Sequence, residues 1–138
     1  MRITAEFGVK AFDRLQHLPE GETKQRYHQL VLEAADAYEG NDPPPGVDLW
    51  PRDYAYAIKV QLAAHDLTGE QRFLDRAQHL ADLAIQTFWS PESPLPRASV
   101  RSKHYESVTM GDLLLFALLQ LHLKQIGQTT DVPLTFID

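Results

Sequence analysis

A chain of 138 residues is long enough for one domain that buries roughly two-thirds of the surface its unfolded form exposes. Hydrophobic residues at 43% and charged residues at 23% exclude disorder over most of the length, and a formal net charge of −6 opposes attraction to nucleic acid or anionic lipid. The absence of cysteine removes disulfides, thiolate metal sites and a cysteine nucleophile.

The N-terminal stretch MRITAEFGVKAFDRL carries charges throughout and lacks a continuous apolar core, so a signal peptide is not expected. Apolar residues at Ile3, Phe7, Ala11, Phe12, Leu15 and Leu18 recur at helical spacing until Pro19-Glu20-Gly21, which predicts a first helix. A second, amphipathic helix is predicted from about Thr23 to Tyr38, with Tyr27, Leu30, Val31, Ala34, Ala35 and Tyr38 on one stripe. It ends before the breaker run Gly40 to Gly46.

The third helix opens near Trp50, with Pro51 suited to the first turn and Asp53 to the positive end of the helix dipole. From Tyr54 to Ala64 it is apolar on almost every side, the pattern of a helix surrounded by others. A fourth helix, about Glu70 to Trp89, returns to a one-sided stripe: Phe73, Leu74, Ala77, Leu80, Ala81, Ala84, Ile85 and Phe88. The fifth is predicted to start at a capping box, Thr109-Met110-Gly111-Asp112, and to run through LLLFALLQLHL, again apolar nearly all round. Its apolar run, Leu113 to Leu119, is too short to cross a bilayer; no membrane association is expected and the default location is cytoplasmic. Residues 128–138 read as an irregular tail, and no period-two segment is long enough for a strand.

Gln25-Arg26-Tyr27 and Ala35-Asp36 recur 46 residues later, counting from Gln25 to Gln71, as Gln71-Arg72-Phe73 and Ala81-Asp82. Gly21-Glu22, Gly69-Glu70 and Gly127-Gln128 mark matching turns, so the chain reads as repeated helical hairpins. The stretch from Arg52 to Trp89, RDYAYAIKVQLAAHDLTGEQRFLDRAQHLADLAIQTFW, resembles the hairpins of the six-hairpin (α/α) toroid superfamily of glycosidases, polysaccharide lyases and epimerases. The resemblance extends over roughly Trp50 to Gln125 and rests on turn and packing residues. It implies an all-α fold, inner helices wrapped by outer ones, and an incomplete ring, since five helices do not close six hairpins. The implied partners are a second copy or a missing part of a longer chain, with the fifth helix as the uncovered surface.

In such a ring the two long connectors, about Glu39–Leu49 and about Ser90–Ser107, emerge at the same end and form its rim. The resemblance implies a carbohydrate ligand, a sugar or uronate, handled by carboxylate acid/base chemistry without a cofactor. Asp53 and Glu106 are the candidate catalytic pair, with Asp48 a third carboxylate. Glycoside hydrolysis places two carboxyl groups about 5 to 9.5 Å apart across the scissile bond. Arg97, Arg101, His104 and Tyr105 are candidates to bind substrate, an arginine receiving a uronate carboxylate and Tyr105 or His104 abstracting a proton. Trp50 is a candidate to stack on a sugar face.

Plainer readings stand beside these. Asp53 suits the helix dipole, Glu106 a solvated loop, and the basic loop an offset to the acidity of the chain. The alternative function is a noncatalytic helical-repeat module for protein interaction or assembly of a larger enzyme. The six histidines show no i, i+4 pair and no HExxH arrangement, so no metal site is expected.

Overall fold

A computed structural model of the chain describes residues 2–128; the expected tail from 129 onward lies outside the described residues. The described residues fold as five α-helices: α1 (Arg2–Leu15), α2 (Glu22–Asp36), α3 (Pro51–Thr68), α4 (Gln71–Phe88) and α5 (Gly111–Gln125), with one 3-10 turn at Ser107–Thr109. Among them the only β pairing is an isolated bridge between Ser90 and Ser93.

Helix α3 is the centre of the fold and packs against each of the other four. From Tyr54 to Ala64 every residue is buried except Tyr56, which is partly covered. Its all-round apolar sequence thus matches its all-round cover. Pro51 occupies the first turn, and the Asp53 carboxylate accepts a hydrogen bond from the Trp50 amide at 2.8 Å, so one N-terminal backbone donor is satisfied from within the helix. Gly69 ends the helix in the left-handed region, φ 71°, with its amide bonded to the His65 carbonyl at 2.7 Å.

Helices α1 and α2 close on α3 at Gly8. A Cβ there would lie 2.6 Å from Val60 Cγ2 and 2.7 Å from the Ala34 Cβ, so only glycine permits this approach. On the same side Gln61 Nε2 donates to the Ala35 carbonyl at 2.8 Å, giving a buried amide a partner beyond its own helix. Helix α4 buries Phe73, Ala77, Leu80, Ala81, Ala84 and Phe88, and the Phe88 ring meets Tyr54 edge-on at 5.5 Å between centroids. At its start Arg72 donates to Asp36 and Glu39, tying the two repeated helices together.

Two local expectations are corrected. Thr109 does not cap α5: its hydroxyl donates to the Glu106 carbonyl at 2.8 Å, and Met110, in the left-handed conformation with φ 58°, precedes the helix without a side-chain cap. The cause is packing, since Gly111 is buried with Pro96 Cγ only 2.8 Å from where a Cβ would stand, and the chain must turn sharply to enter α5 there. Leu30 and Ile85 fall on their predicted stripes yet are 45% and 48% exposed, because no described element lies over those edges of α2 and α4. Helix α5 is buried on the α3 side through Leu113, Leu114, Ala117 and Leu121 and leaves Leu115 and Leu119 open.

Candidate functional site at the connector end

The segments 37–50 and 89–110, which lead into α3 and α5, meet each other. The Val100 amide donates to the Leu49 carbonyl at 3.0 Å, the Arg101 amide to Asp48 Oδ1 at 3.0 Å, and Arg101 Nη2 to the Gly46 carbonyl at 2.8 Å. Within the second segment Ser99 Oγ accepts from the amides of Arg101 and Ser102, and the Ala98 amide donates to the His104 carbonyl at 2.7 Å. Asp48 and Arg101 therefore join the two connectors.

Between the end of α4 and the second connector lies a cavity of about 300 Å³, bordered by Phe88, Ser90, Glu92, Arg97, Lys103 and Tyr105 among others. The Arg97 amide donates to the Phe88 carbonyl at 2.8 Å, which fixes its backbone against the end of α4. Neither the Arg97 guanidinium nor the Lys103 ammonium forms an ion pair with a described residue, although Glu92 borders the same space. Two cations against one carboxylate leave the cavity with a surplus positive charge, while Tyr105, 46% exposed, supplies aromatic surface.

Asp53 faces a different space. It borders a cavity of about 60 Å³ with Tyr38, Leu49, Tyr54 and Leu80, whose walls are nearly all apolar. Ligand sites for drug-sized molecules span about 300–1,000 Å³, so this one is too small for a sugar ring. Burial pushes the Tyr38 phenol up, with the charge of Asp53 adding to the shift and a backbone hydrogen bond at Ala5 opposing it. Burial also pushes the Tyr54 phenol up, against a hydrogen bond with Thr87.

Glu106 is exposed and borders neither cavity; His104 stands beside it, with Nε2 3.9 Å from Oε2. His104 is exposed as well, and its Nδ1 pairs with Ser102 Oγ at 2.9 Å. Trp50 is half-buried, with the Arg52 guanidinium 5.1 Å from its ring centroid. Of the candidates, the larger cavity thus brings together Arg97 and Tyr105; Asp53, Glu106, Arg101, His104 and Trp50 are placed elsewhere.

Sequence reasoning named no role for Lys103 within the basic loop, and it missed Ser90, Glu92 and Ser93. None of the three carries a local signal, since each depends on how the connector folds back. It also missed an exposed cluster on α4, where Asp42 accepts from Arg76 Nη1 at 2.7 Å and lies 3.0 Å from His79 Nε2. The His79 and Arg76 hydrogen bonds hold the Asp42 carboxyl below the ordinary carboxylate range. Among the described residues no group of three or more histidine or acidic side chains is placed to hold a metal ion, and no helix is long and apolar enough to cross a membrane.

Set against family models, curated proteins and solved structures, the chain matches none of them.

Proposed function

We propose that the chain is a helical-hairpin module of (α/α) toroid type that binds an acidic sugar at its connector end, without completing a hydrolytic carboxylate pair. The observation that carries this reading is the 300 Å³ cavity in which Arg97 and Lys103, both without an ionic partner among the described residues, stand beside Tyr105. A uronate presents one carboxylate on a ring with an apolar face. Arg97 and Lys103 receive the carboxylate, and the exposed Tyr105 lies along the ring. Ser90, on the same border, carries a hydroxyl of the kind that bonds sugar hydroxyl groups.

The two candidate catalytic carboxylates support binding over turnover. Asp53 is committed to the Trp50 amide and borders a space too small for substrate, while Glu106 stands in solvent. Either acting as a general acid needs the substrate within hydrogen-bond reach of its oxygen.

Calorimetric titration with glucuronate and with glucose tests the reading. Glucuronate is expected to bind and glucose to bind much more weakly; Arg97→Ala with Lys103→Ala is expected to abolish the difference. Equal affinity for the two sugars, or unchanged glucuronate binding by the double variant, overturns it. Release of product from an aryl glucuronide by the parent protein, lost in Glu106→Gln, would establish the catalytic form instead.

A further inference from the structure

Two apolar surfaces lie on different sides of α3. One is a groove between α1 and α2 of about 700 Å³, lined by Phe7, Ala11, Tyr27 and Leu30, with Arg14 and Arg26 among its borders. Phe7 is 65% exposed and Leu30 45%, large values for side chains of this size on a monomer's helices. The other is the open face of α5, where Leu115 and Leu119, one turn apart, are 43% and 46% exposed and Ile126 continues the stripe two turns on. Asp112, exposed in the first turn of α5, stands one turn before Leu115.

The surfaces are complementary in shape and charge. One is a ridge of aliphatic side chains on a single helix, the other a trough between two helices. Arg14 and Arg26 lie at the end of the trough where the α1–α2 turn joins the helices, and neither forms an ion pair with a described residue; nor does Asp112. Of the other charged side chains on the trough border, Lys10 is offset by Glu6 at 2.8 Å, and Glu33, which keeps its negative charge while accepting from Gln29 at 3.2 Å, stands seven residues beyond Arg26, toward the opposite end. The groove therefore has uncompensated positive charge at one end, and the ridge an uncompensated negative charge at one end.

We infer that α5 of one chain seats in the α1–α2 groove of a second copy, with Leu115 and Leu119 against Phe7 and Leu30 and with Asp112 at the Arg14–Arg26 end. That pairing runs α5 antiparallel to the α1 it covers. The joint is heterologous, one surface meeting a different surface, so each chain offers one donor ridge and one acceptor groove. It uses none of the residues bordering the sugar cavity.

A heterologous joint has a signature that a self-complementary one lacks. Phe7→Glu spoils the groove and leaves the ridge; Leu119→Glu spoils the ridge and leaves the groove. Light scattering after size exclusion, or sedimentation, is expected to give at least two chains for the parent and one chain for either variant alone. An equimolar mixture of the two variants is expected to give the mass of two chains, from the one intact ridge and groove. A parent that stays at one chain up to the concentrations of an NMR sample overturns the inference. So does a mixture in which both variants remain single chains, or a variant that still assembles. Helical circular dichroism equal to the parent's is required of each variant. If either fails to fold, Leu30→Glu for the groove or Leu115→Glu for the ridge takes its place, both side chains being already about half in water. Asp112→Lys is expected to weaken assembly of the parent by tenfold or more, and unaltered assembly would remove the stated orientation.

Discussion

Helices α3 and α5 have nearly the same character in sequence and opposite fates in the fold. Both are apolar on most sides, both follow a long connector and both end at a glycine with φ 71°. Yet α3 is enclosed by four helices, whereas α5 rests chiefly on α3 and shows Leu115 and Leu119 to solvent. The difference lies in the neighbours. Helix α3 has α1 and α2 before it and α4 after it, all packed against it, whereas no helix follows α5 among the described residues. An all-round apolar helix therefore states a demand for cover, and the order of elements decides whether the chain meets it.

The largest test of that contrast truncates one leucine on each helix. Leu62 in α3 is 1% exposed, so Leu62→Ala loses both the transfer energy and the refilling of its space and is expected to cost about 2–5 kcal/mol. Leu115→Ala in α5 is expected to lower the stability of the single chain by about 1 kcal/mol or less, since nearly half of its side chain is already in water. Urea unfolding at low protein concentration measures both. Comparable losses at the two sites would mean that α5 is covered as fully as α3.

A second test concerns the one lysine inside α3. Lys59 is 1% exposed, and burial pushes its ammonium down to about 8, against a smaller opposing effect from Asp13. Between pH 8 and the ordinary lysine value the unfolded chain holds this proton while the folded chain has released it. The unfolded state binds more protons, so stability rises with pH from about 8. Above about 10 the trend reverses, because the Tyr38 and Tyr54 phenols, pushed up by burial, keep protons that the unfolded chain loses. Lys59→Met is expected to stabilise the protein at pH 7 by about 1–3 kcal/mol and to flatten the rise from pH 8. Denaturant melts at pH 7, 8.5 and 9.5 decide it; a parent and variant with parallel pH profiles would mean that Lys59 keeps its charge at no cost.

The helices themselves were legible because their signals are local. Pro51 marks the start of α3, Gly69 its end, and the recurrence of Gln25-Arg26-Tyr27 as Gln71-Arg72-Phe73 falls within the N-terminal halves of α2 and α4, three residues deeper into α2 than into α4. The two connectors were expected at one end, but not their bonding to each other: Arg101 reaches Gly46 across 55 residues and Asp48 across 53, a pairing that no spacing rule encodes. Thr109 failed as a cap for a related reason. The motif was locally sufficient, but the close approach of Pro96 to Gly111 set the entry angle into α5. The site was least legible, since Lys103, Glu92 and Arg97 share a cavity only after the second connector has folded back on α4.

Closer to the α1 side of α3, Gly8→Ala puts a methyl carbon at 2.6 and 2.7 Å from Val60 and Ala34, both branched or backbone-bound atoms of the core that cannot swing away. Overpacking of this kind costs about 1–3 kcal/mol, which outweighs the roughly 1 kcal/mol of helix propensity that alanine gains over glycine. A net destabilisation in thermal melts is expected, and a stabilised Gly8→Ala would show that α1 is free to move off α3. Such freedom would narrow the contrast between the two flanks of the central helix.

The smallest effect separates capping from chemistry at the start of α3. Asp53→Ala leaves the Trp50 amide without its acceptor at 2.8 Å and removes a negative charge from the positive end of the helix, at an expected cost of about 1 kcal/mol. Because Asp53 borders the 60 Å³ cavity and not the one holding Arg97 and Lys103, glucuronate affinity is expected to stay within about twofold of the parent, well under the 1.4 kcal/mol of a tenfold change. Stability and affinity should thus respond independently at this residue. A variant that keeps its stability but loses the sugar would place Asp53 at the ligand, and the two connectors would then enclose one shared site where they now border two.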